Sequence, residues 1–314
     1  MMKISLVTNI FARMPFDQLT ATAAGLGIEA LELGTGNWSA NDHLKLDALI
    51  DSAAERDKYK ETLKRHGLEI AAFNCSGNPL KPGPDGEAHK AVMVKTLRLA
   101  ELFDVKTVVG MSGCPGGAPG DSTVNWITHP ILPEHQESLD WQWDEMLIPF
   151  WQEMSRLAEN HGVERLAIEN LGMNLVYNAD TLLRLRAAVG PRVGMNLDPS
   201  HQMWMGGDPI AMARKLGDAI LHVHAKDVRI ERVLADADGL IDTHWIADVP
   251  KRQWNYVALG HAHDVAWWKE FFSVLVYLGY DGPVSLEMED LSMPPIVGVK
   301  KSLDVLRQAL PRDL

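Results

Sequence analysis

The sequence is poor in cysteine, with only Cys75 and Cys114 among its 314 residues. Disulfide frameworks belong to small secreted domains, so two thiols in a chain of this length indicate a reducing compartment. The first residues do not resemble a secretory signal, because their apolar stretch is short and Arg13 interrupts it. Apolar runs of about 18 residues, which a membrane span requires, are also missing. We therefore expect a cytoplasmic protein without a membrane partner.

Positive charge is scarce as well, with 30 Lys and Arg residues against 42 Asp and Glu residues and a formal net charge of −12. A surface of that sign repels phosphate backbones, so we expect no nucleic-acid partner. The first strand–helix turn lacks a G-x-G-x-x-G motif, which argues against a dinucleotide-binding fold. Hydrophobic residues make up 46% and charged residues 23% of the chain, as is typical of a globular enzyme with one large core.

What the chain does have is a regular alternation of strand and helix patterns. Eight short runs rich in Val, Ile and Leu predict strands at 3–9, 28–34, 69–75, 107–113, 165–171, 193–199, 220–227 and 283–290. Helical patterns lie between them, several with Asp or Pro in the first turn and Gly at the end. Eight strands that are each followed by a helix predict a closed (β/α)8 TIM barrel. No linker interrupts the pattern, so we expect one domain over residues 1–314.

Two insertions depart from this pattern, one after strand 4 (about 114–143) and one after strand 7 (about 228–262). Because each follows the C-terminal end of its strand, both would overhang the mouth of the barrel. Tryptophan faces can cover a sugar ring, or they can instead bury a loop or a subunit contact. The insertions carry Trp126, Trp141, Trp143, Trp245 and Trp254.

Four polar residues end apolar strand runs in the second half of the chain. Glu169 ends RLAIE, Asp198 ends VGMNLD, His224 ends ILHVH and Glu287 ends PVSLE. Carboxylates are costly to bury without a partner, so their shared placement indicates a shared role. Their spacing follows the strand–helix unit, and all strand C-terminal ends of a parallel barrel meet at one mouth. The sequence therefore predicts one metal site formed by these four side chains.

The ligand set favours certain metals. Oxygen-rich ligation with one imidazole suits Mn²⁺, which leads the candidates, and also Mg²⁺, Co²⁺ or Zn²⁺. Four protein ligands leave about two positions of an octahedral ion for adjacent oxygens of a hydroxy-ketone. The alternative is that four unrelated polar residues happen to end strands.

Further candidates fall near the same mouth. His201 follows the aspartate by three positions, and it would bind either a substrate hydroxyl or a second metal. Lys226 would stabilise an oxyanion or form a structural ion pair. Trp204 would form a wall of the pocket, and His263 is a candidate for contacting substrate. His222 fits the pattern of a core histidine.

The strand endings IEN, NLDPSH, HVHAKD and SLEMED resemble those of the sugar phosphate isomerase/epimerase family, in the xylose isomerase-like barrel superfamily. The resemblance covers nearly the whole chain and is strongest over residues 165–293. It implies that the four strand-end residues bind the metal and that His201 binds substrate. As in ketose 3-epimerases, it implies that Glu169 and Glu287 form the acid–base pair.

The chain departs from the ketose 3-epimerase pattern at two positions. Those enzymes usually carry a second glutamate six residues after the first ligand and an arginine six residues after the ligand histidine, where this chain has Leu175 and Ile230. A second group in the superfamily, the large subunit of bacterial C-glycoside deglycosidases, acts on 3-keto sugar conjugates with a small partner subunit. Long tryptophan-bearing loops would suit such a bulky substrate.

The resemblance thus implies a sugar isomerase or epimerase that removes the proton next to a carbonyl while a divalent metal stabilises the enediolate. Elimination of an aglycone from a 3-keto glycoside begins with the same proton loss and stays open. A non-catalytic sugar-binding barrel and an endonuclease IV-like DNA repair enzyme are the remaining alternatives. The expected partner is a small-molecule sugar or sugar conjugate, and a homo-oligomer or a small partner subunit is left open.

Overall fold

The computed structural model describes residues 2–311. Its barrel strands are β1 (Ile4–Val7), β2 (Ala30–Gly34), β3 (Glu69–Asn74), β4 (Thr107–Gly110), β5 (Arg165–Glu169), β6 (Val193–Leu197), β7 (Ile220–Ala225) and β10 (Val284–Leu286). They close in the order β1-β10-β7-β6-β5-β4-β3-β2, and neighbouring strands pair in parallel. The predicted TIM barrel is confirmed.

At least one helix follows every barrel strand. The helices are α1 (Phe16–Gly25), α2 (Leu46–Asp51), α3 (Ala53–Arg65), α4 (Pro84–Phe103), α5 (Pro133–Trp141), α6 (Ile148–Asn160), α7 (Ala179–Val189), α8 (Pro199–Trp204), α9 (Pro209–Leu216), α10 (Arg232–Asp238), α11 (Val265–Tyr277) and α12 (Pro295–Ala309). Within residues 2–311, none of them combines the length and the apolar character that crossing a membrane requires.

The barrel strands are almost continuously apolar because they are covered on both faces. The four residues of β4, TVVG, and the five of β6, VGMNL, are all buried. Helices pack on the outer face, and side chains from the strands fill the inner face. Polar residues inside such strands must therefore find partners within the barrel.

The two insertions contain more regular structure than the sequence predicted. The segment after β4 includes α5 and a π-helical turn, Gln142–Leu147, that leads into α6. The segment after β7 contains α10 and two further strands, β8 (Asp227–Ile230) and β9 (Trp254–Val257), which pair in antiparallel fashion outside the barrel. This small sheet brings residues of the second insertion back to the C-terminal end of β7.

Candidate active site

The four residues predicted to share a site do converge. Glu169 is the last residue of β5, His224 lies near the end of β7, and Asp198 and Glu287 directly follow β6 and β10. Each offers one ligand atom, and these atoms all lie within 4.8 Å of one another. The parallel barrel explains the convergence, because the C-terminal ends of its strands share one mouth. We call these four residues the upper site.

The donor atoms of the upper site fit a divalent cation. Nδ1 of His224 lies 3.2 Å from Glu287 Oε2 and 3.7 Å from Glu169 Oε1. This nitrogen and Asp198 Oδ2 are buried, and neither has a hydrogen-bond partner among residues 2–311. Buried polar atoms rarely stay unpaired, so two such atoms among three carboxylates fit a bound cation.

The local structure aims Asp198 into the site. Asp198 is the N-cap residue of α8, and its Oδ1 accepts hydrogen bonds from Ser200 N (2.8 Å) and Ser200 Oγ (2.7 Å). The capping bonds hold the carboxylate in one orientation and leave Oδ2 directed at the other ligands. Burial raises the pKa of the Asp198 carboxyl, and the nearby His201 and Lys226 offset this only in part. A bound cation would favour the ionised form.

Sequence reasoning missed Glu32, which lies on β2 directly beneath His224. Its Oε1 lies 3.0 Å from His224 Nε2 and accepts a hydrogen bond of 2.7 Å from Asn74 Nδ2. Its Oε2 lies 2.7 Å from His222 Nε2, which is itself 3.1 Å from Ser285 Oγ. Burial opposes ionisation of Glu32, but the two imidazoles outweigh it and hold the pKa of this carboxyl well below its usual range. We call Glu32, Asn74, His222 and Ser285 the lower layer.

The lower layer sets which nitrogen of His224 is available. With Nε2 donating to Glu32, Nδ1 is left to face the upper site, which is the usual arrangement of a metal-bound histidine and its supporting carboxylate. Asn196 Nδ2 also lies 3.1 Å from Nε2, and turning this amide by 180° would present its unpartnered Oδ1 to the same N–H. Sequence reasoning placed His222 in the core, and it is buried there.

Glu32, His222 and His224 also satisfy the spacing of a metal site. Their facing atoms are already joined by hydrogen bonds, and the Asn74 amide, which can only donate through Nδ2, is directed at the Glu32 carboxylate. We therefore interpret this group as a hydrogen-bonded support and not as a second metal centre.

A signal for the lower layer is present in the sequence. Side chains two positions apart on a strand point to the same side. His222 and Ser285 of the lower layer each stand two positions before an upper-site residue, in the triplets HVH and SLE, and so does Asn196, which lies beside His224 Nε2, in NLD. Paired polar residues with this spacing on consecutive barrel strands predict two polar levels inside the barrel.

His201 and Trp204 both lie beside the upper site, and their contact with substrate stays a prediction. Nε2 of His201 is 3.0 Å from Glu169 Oε1 and 3.3 Å from Asp198 Oδ2. Its Nδ1 lies 3.2 Å from Trp204 Nε1 and 3.1 Å from the hydroxyl of Tyr256, a residue that the sequence did not single out. The ring of Trp254 stacks on Trp204, with centroids 4.8 Å apart and planes 9° from parallel.

Lys226 is buried among carboxylates of the same mouth. Its Nζ lies 3.1 Å from Glu287 Oε2, 2.5 Å from Glu289 Oε2 and 3.9 Å from Asp198 Oδ2, and it lies 4.2 Å above the ring of Tyr256. Burial disfavours the ammonium, but Glu287 and Glu289 outweigh it and hold the pKa of Lys226 well above its usual value. Lys226 is therefore a fixed positive charge beside the upper site.

His263 is held by a different partner. Its Nδ1 lies 2.7 Å from Asp227 Oδ1, and its ring packs against Trp267 at 4.9 Å. Asp227 follows Lys226 in the chain and is fully buried. Contact of His263 with substrate stays a prediction.

The tryptophans of the insertions have different environments. Trp254 stacks on Trp204, and Trp126 lies near the same indole. Both Trp126 and Trp204 approach Gly172 closely, since a Cβ placed on this glycine would lie 3.4 Å from Trp126 and 2.6 Å from Trp204. Trp143 is buried in the hydrophobic core with Arg184 over its ring, and so it does not overhang the mouth. Trp141 lines a cleft formed by α4, α6 and the segments that follow β3 and β4, and Trp245 is 72% exposed.

Comparison with known proteins identifies relatives across the whole chain. The family described as the xylose isomerase-like TIM barrel matches residues 20–309. The uncharacterized protein YfiH of Bacillus subtilis (strain 168) is 49% identical over 311 residues, which cover 98% of this chain and 99% of YfiH. The rhizopine catabolism protein MocC of Rhizobium meliloti is 34% identical over 188 residues, which cover 57% of this chain and 52% of MocC.

Solved structures share the architecture at low sequence identity. The probable 3-DHS dehydratase AsbF from Bacillus anthracis, involved in petrobactin synthesis, superposes with a TM-score of 0.68 at 20% identity, over 98% of this chain and 99% of AsbF. A D-tagatose 3-epimerase-like protein superposes with a TM-score of 0.64 at 19% identity, over 98% and 97% of the two chains. At these identities the likeness is one of fold.

Proposed function

Because the chain belongs to the xylose isomerase-like TIM barrel family, we propose that it is a divalent-metal-dependent sugar isomerase or epimerase. It would act by removing the proton next to a carbonyl. The observation that carries this proposal is the upper site, where Glu169, Asp198, His224 and Glu287 present ligand atoms within 4.8 Å of one another. The epimerases among the proteins of like fold support the same class of reaction.

A divalent metal held by the four upper-site residues would polarise a sugar carbonyl and acidify the neighbouring C–H group. The oxygen-rich ligand set favours Mn²⁺ as that metal.

Glu169 and Glu287 would move the proton. In the barrel, β5 and β10 are separated by β6 and β7, so the two carboxylates approach the centre of the mouth from different sides. One would take the proton, and the other would return it on the opposite face for epimerisation or at the neighbouring carbon for isomerisation.

Each of these carboxylates has its own hydrogen-bond donor. His201 Nε2 lies 3.0 Å from Glu169, and Lys226 Nζ lies 3.1 Å from Glu287. Proton removal puts negative charge on the substrate oxygens, which would lie beside these two carboxylates and their donors. His201 and Lys226 would therefore stabilise the enediolate.

The residues of the site differ in their exposure to solvent. The side chains of Asp198 and His224 are fully buried, whereas that of Glu287 is 14% exposed and that of Glu289 is 44% exposed. Substrate would therefore enter next to the end of β10. Burial of Asp198 and His224 lowers the local dielectric constant, which would strengthen electrostatic stabilisation of the developing charge.

Elimination from a 3-keto glycoside is the second candidate. The positions where ketose 3-epimerases usually have a glutamate and an arginine hold Leu175, which is buried, and Ile230, which pairs with Trp254 in the small sheet. In an elimination, a glutamate takes the α-proton and the bond to the aglycone breaks with its electron pair. The glutamate would then return that proton to the leaving group, and Lys226, as a fixed positive charge, would stabilise the negative charge that develops there.

Exchange of the substrate α-proton with solvent deuterium tests the proposal. A panel of free ketoses and 3-keto glucosides is incubated with the metal-loaded enzyme in D₂O, and deuterium incorporation and products are followed by NMR. Glu169→Gln and Glu287→Gln should each slow exchange by about 10²–10⁴-fold, because each removes a base. A released aglycone would identify elimination, and a new sugar would identify isomerisation or epimerisation.

The control is Glu153→Gln, which breaks an outer ion pair with Lys90 and should leave exchange unchanged. Exchange at the wild-type rate in both active-site variants would remove these glutamates from the mechanism.

A further inference from the structure

The two nitrogens of His201 have different neighbours. Nδ1 lies 3.2 Å from the indole nitrogen of Trp204 and 3.1 Å from the hydroxyl of Tyr256. An indole N–H can only donate a hydrogen bond, so Nδ1 must accept it and cannot carry a proton. The proton of the ring then lies on Nε2, which faces Glu169 Oε1 at 3.0 Å and Asp198 Oδ2 at 3.3 Å.

We propose that Trp204 and Tyr256 are positioning residues that fix the Nε2–H tautomer of His201. His201 then serves the upper site as a hydrogen-bond donor, and not as a metal ligand or a proton acceptor. The sequence left open whether His201 binds a substrate hydroxyl or a second metal. A second metal would need the lone pair of Nε2, which the tautomer replaces with an N–H group.

The opposite tautomer would meet two unfavourable contacts at once. Its Nδ1–H would point at the Trp204 N–H, placing two donors against each other. Its Nε2 lone pair would face the carboxylate oxygens of Glu169 and Asp198, placing acceptors against each other. Small movements of the ring would not relieve these contacts, because His201 is 2% exposed and both of its ring nitrogens have close neighbours.

The surrounding structure holds the two donors in place. Trp204 stands three residues after His201 on α8, so both side chains lie on the same face of that helix. Trp254 stacks on one face of the Trp204 indole, and Tyr256 follows Trp254 by two residues on β9. Burial raises the pKa of the Tyr256 phenol far above its usual value, so its hydroxyl keeps the proton that it donates.

This arrangement gives the small sheet of the second insertion a role in the chemistry. Strand β9 delivers Tyr256 to the ring nitrogen of His201 that faces away from the carboxylates. The same Tyr256 ring lies under Lys226, the other donor of the site. The insertion therefore positions both donors without supplying a metal ligand.

The tautomer can be read directly by NMR without a substrate. The protein is labelled with ¹⁵N-histidine and loaded with diamagnetic Zn²⁺, and His201 is assigned by comparison with His201→Asn. Long-range ¹H–¹⁵N correlation should show an unprotonated Nδ1 and a protonated Nε2 in the wild type. A protonated Nδ1 in the wild type would overturn the proposal.

Variants then test what fixes the tautomer. The double variant Trp204→Phe/Tyr256→Phe keeps the aromatic rings but removes both donors, and it should show a mixture of tautomers. The matched control is Trp254→Phe, because Trp254 stacks on Trp204 but donates its own N–H to Leu240 O at 3.2 Å. That control should keep the wild-type tautomer. The unchanged wild-type pattern in the double variant would show that the two donors do not fix it.

A kinetic readout separates positioning from general damage. Loss of one neutral hydrogen bond to His201 in Trp204→Phe should lower kcat for α-proton exchange by about 2–10-fold. The metal content should stay at one per chain, since the Trp204 indole donates its hydrogen bond to His201 and not to an upper-site residue. The kinetic experiment rests on the proposed function, whereas the NMR experiment on the tautomer does not, so failure of one proposal can be told from failure of the other.

The single variants Trp204→Phe and Tyr256→Phe extend the NMR experiment. If they fold, each should shift the tautomer mixture in the same direction as the double variant.

Discussion

The two sides of His224 show how a barrel of this kind separates support from chemistry. On the lower side, Nε2 lies against Glu32, whose two oxygens also bind Asn74 and His222. On the upper side, Nδ1 has no hydrogen-bond partner among the residues described. The Nε2 side of the imidazole thus belongs to a hydrogen-bonded network, whereas its Nδ1 side has no hydrogen bond. The difference indicates that the lower side of His224 supports the ring, whereas its upper side is available to a ligand.

The largest expected effect comes from removing the residue that joins the two sides. His224→Ala should lower metal affinity by more than 100-fold, because it deletes a ligand and leaves Glu32 without its main partner. Metal analysis of the purified protein should give one divalent metal per chain in the wild type and a small fraction of that in the variant. Equal metal content in both, or more than two metals per wild-type chain, would contradict the single upper site.

A smaller effect is expected from the lower layer alone. Glu32→Gln keeps the size of the side chain but removes the charge that orients His224 and makes it more basic. Metal affinity should fall by about 10–100-fold, as is typical for partners of a metal-bound histidine. Competition with a coloured chelator measures it, and circular dichroism of the metal-free protein checks that the variant is folded. Affinity within twofold of the wild type would show that Glu32 supports the fold only.

The smallest effect is expected at the far edge of the lower layer. The hydroxyl of Ser285 bonds to His222, so it is connected to the upper site less directly than Glu32, which contacts His224 itself. Ser285→Ala should leave metal affinity within about twofold while costing about 1 kcal/mol of unfolding free energy, the usual contribution of one hydrogen bond. Chemical denaturation and the same chelator assay measure the two quantities. A loss of affinity as large as that of Glu32→Gln would mean that support for the metal extends through the whole layer.

The fold and the upper site could be predicted from the sequence because both depend on patterns within short segments of the chain. Apolar runs with bounding Gly, Pro and Asp residues mark strands, and their count gives the barrel. Glu169, Asp198, His224 and Glu287 could be grouped because each ends such a run, and parallel strands bring their ends together. His201 and Trp204 followed from their closeness in sequence to Asp198.

Glu32 and Tyr256 could not be found in the same way. Glu32 and His222 are 190 residues apart in the chain, and they meet across the interior between strands that are not neighbours. Tyr256 lies in a segment that was expected to be a loop and that forms β9 only by pairing with β8. Strand pairing of this kind depends on long-range contacts, which periodicity within one segment does not contain.

The sequence by itself determined which residues end the barrel strands, and hence the candidate ligands and the family. Only the tertiary structure decided which nitrogen of His224 and which nitrogen of His201 faces the ligands. The physical reason is that a histidine ring is nearly symmetric in its chemistry, so its orientation is set by the donors and acceptors that surround it. Those partners, Glu32 for His224 and the pair Trp204 and Tyr256 for His201, come together only when the barrel closes and the second insertion folds back over its mouth.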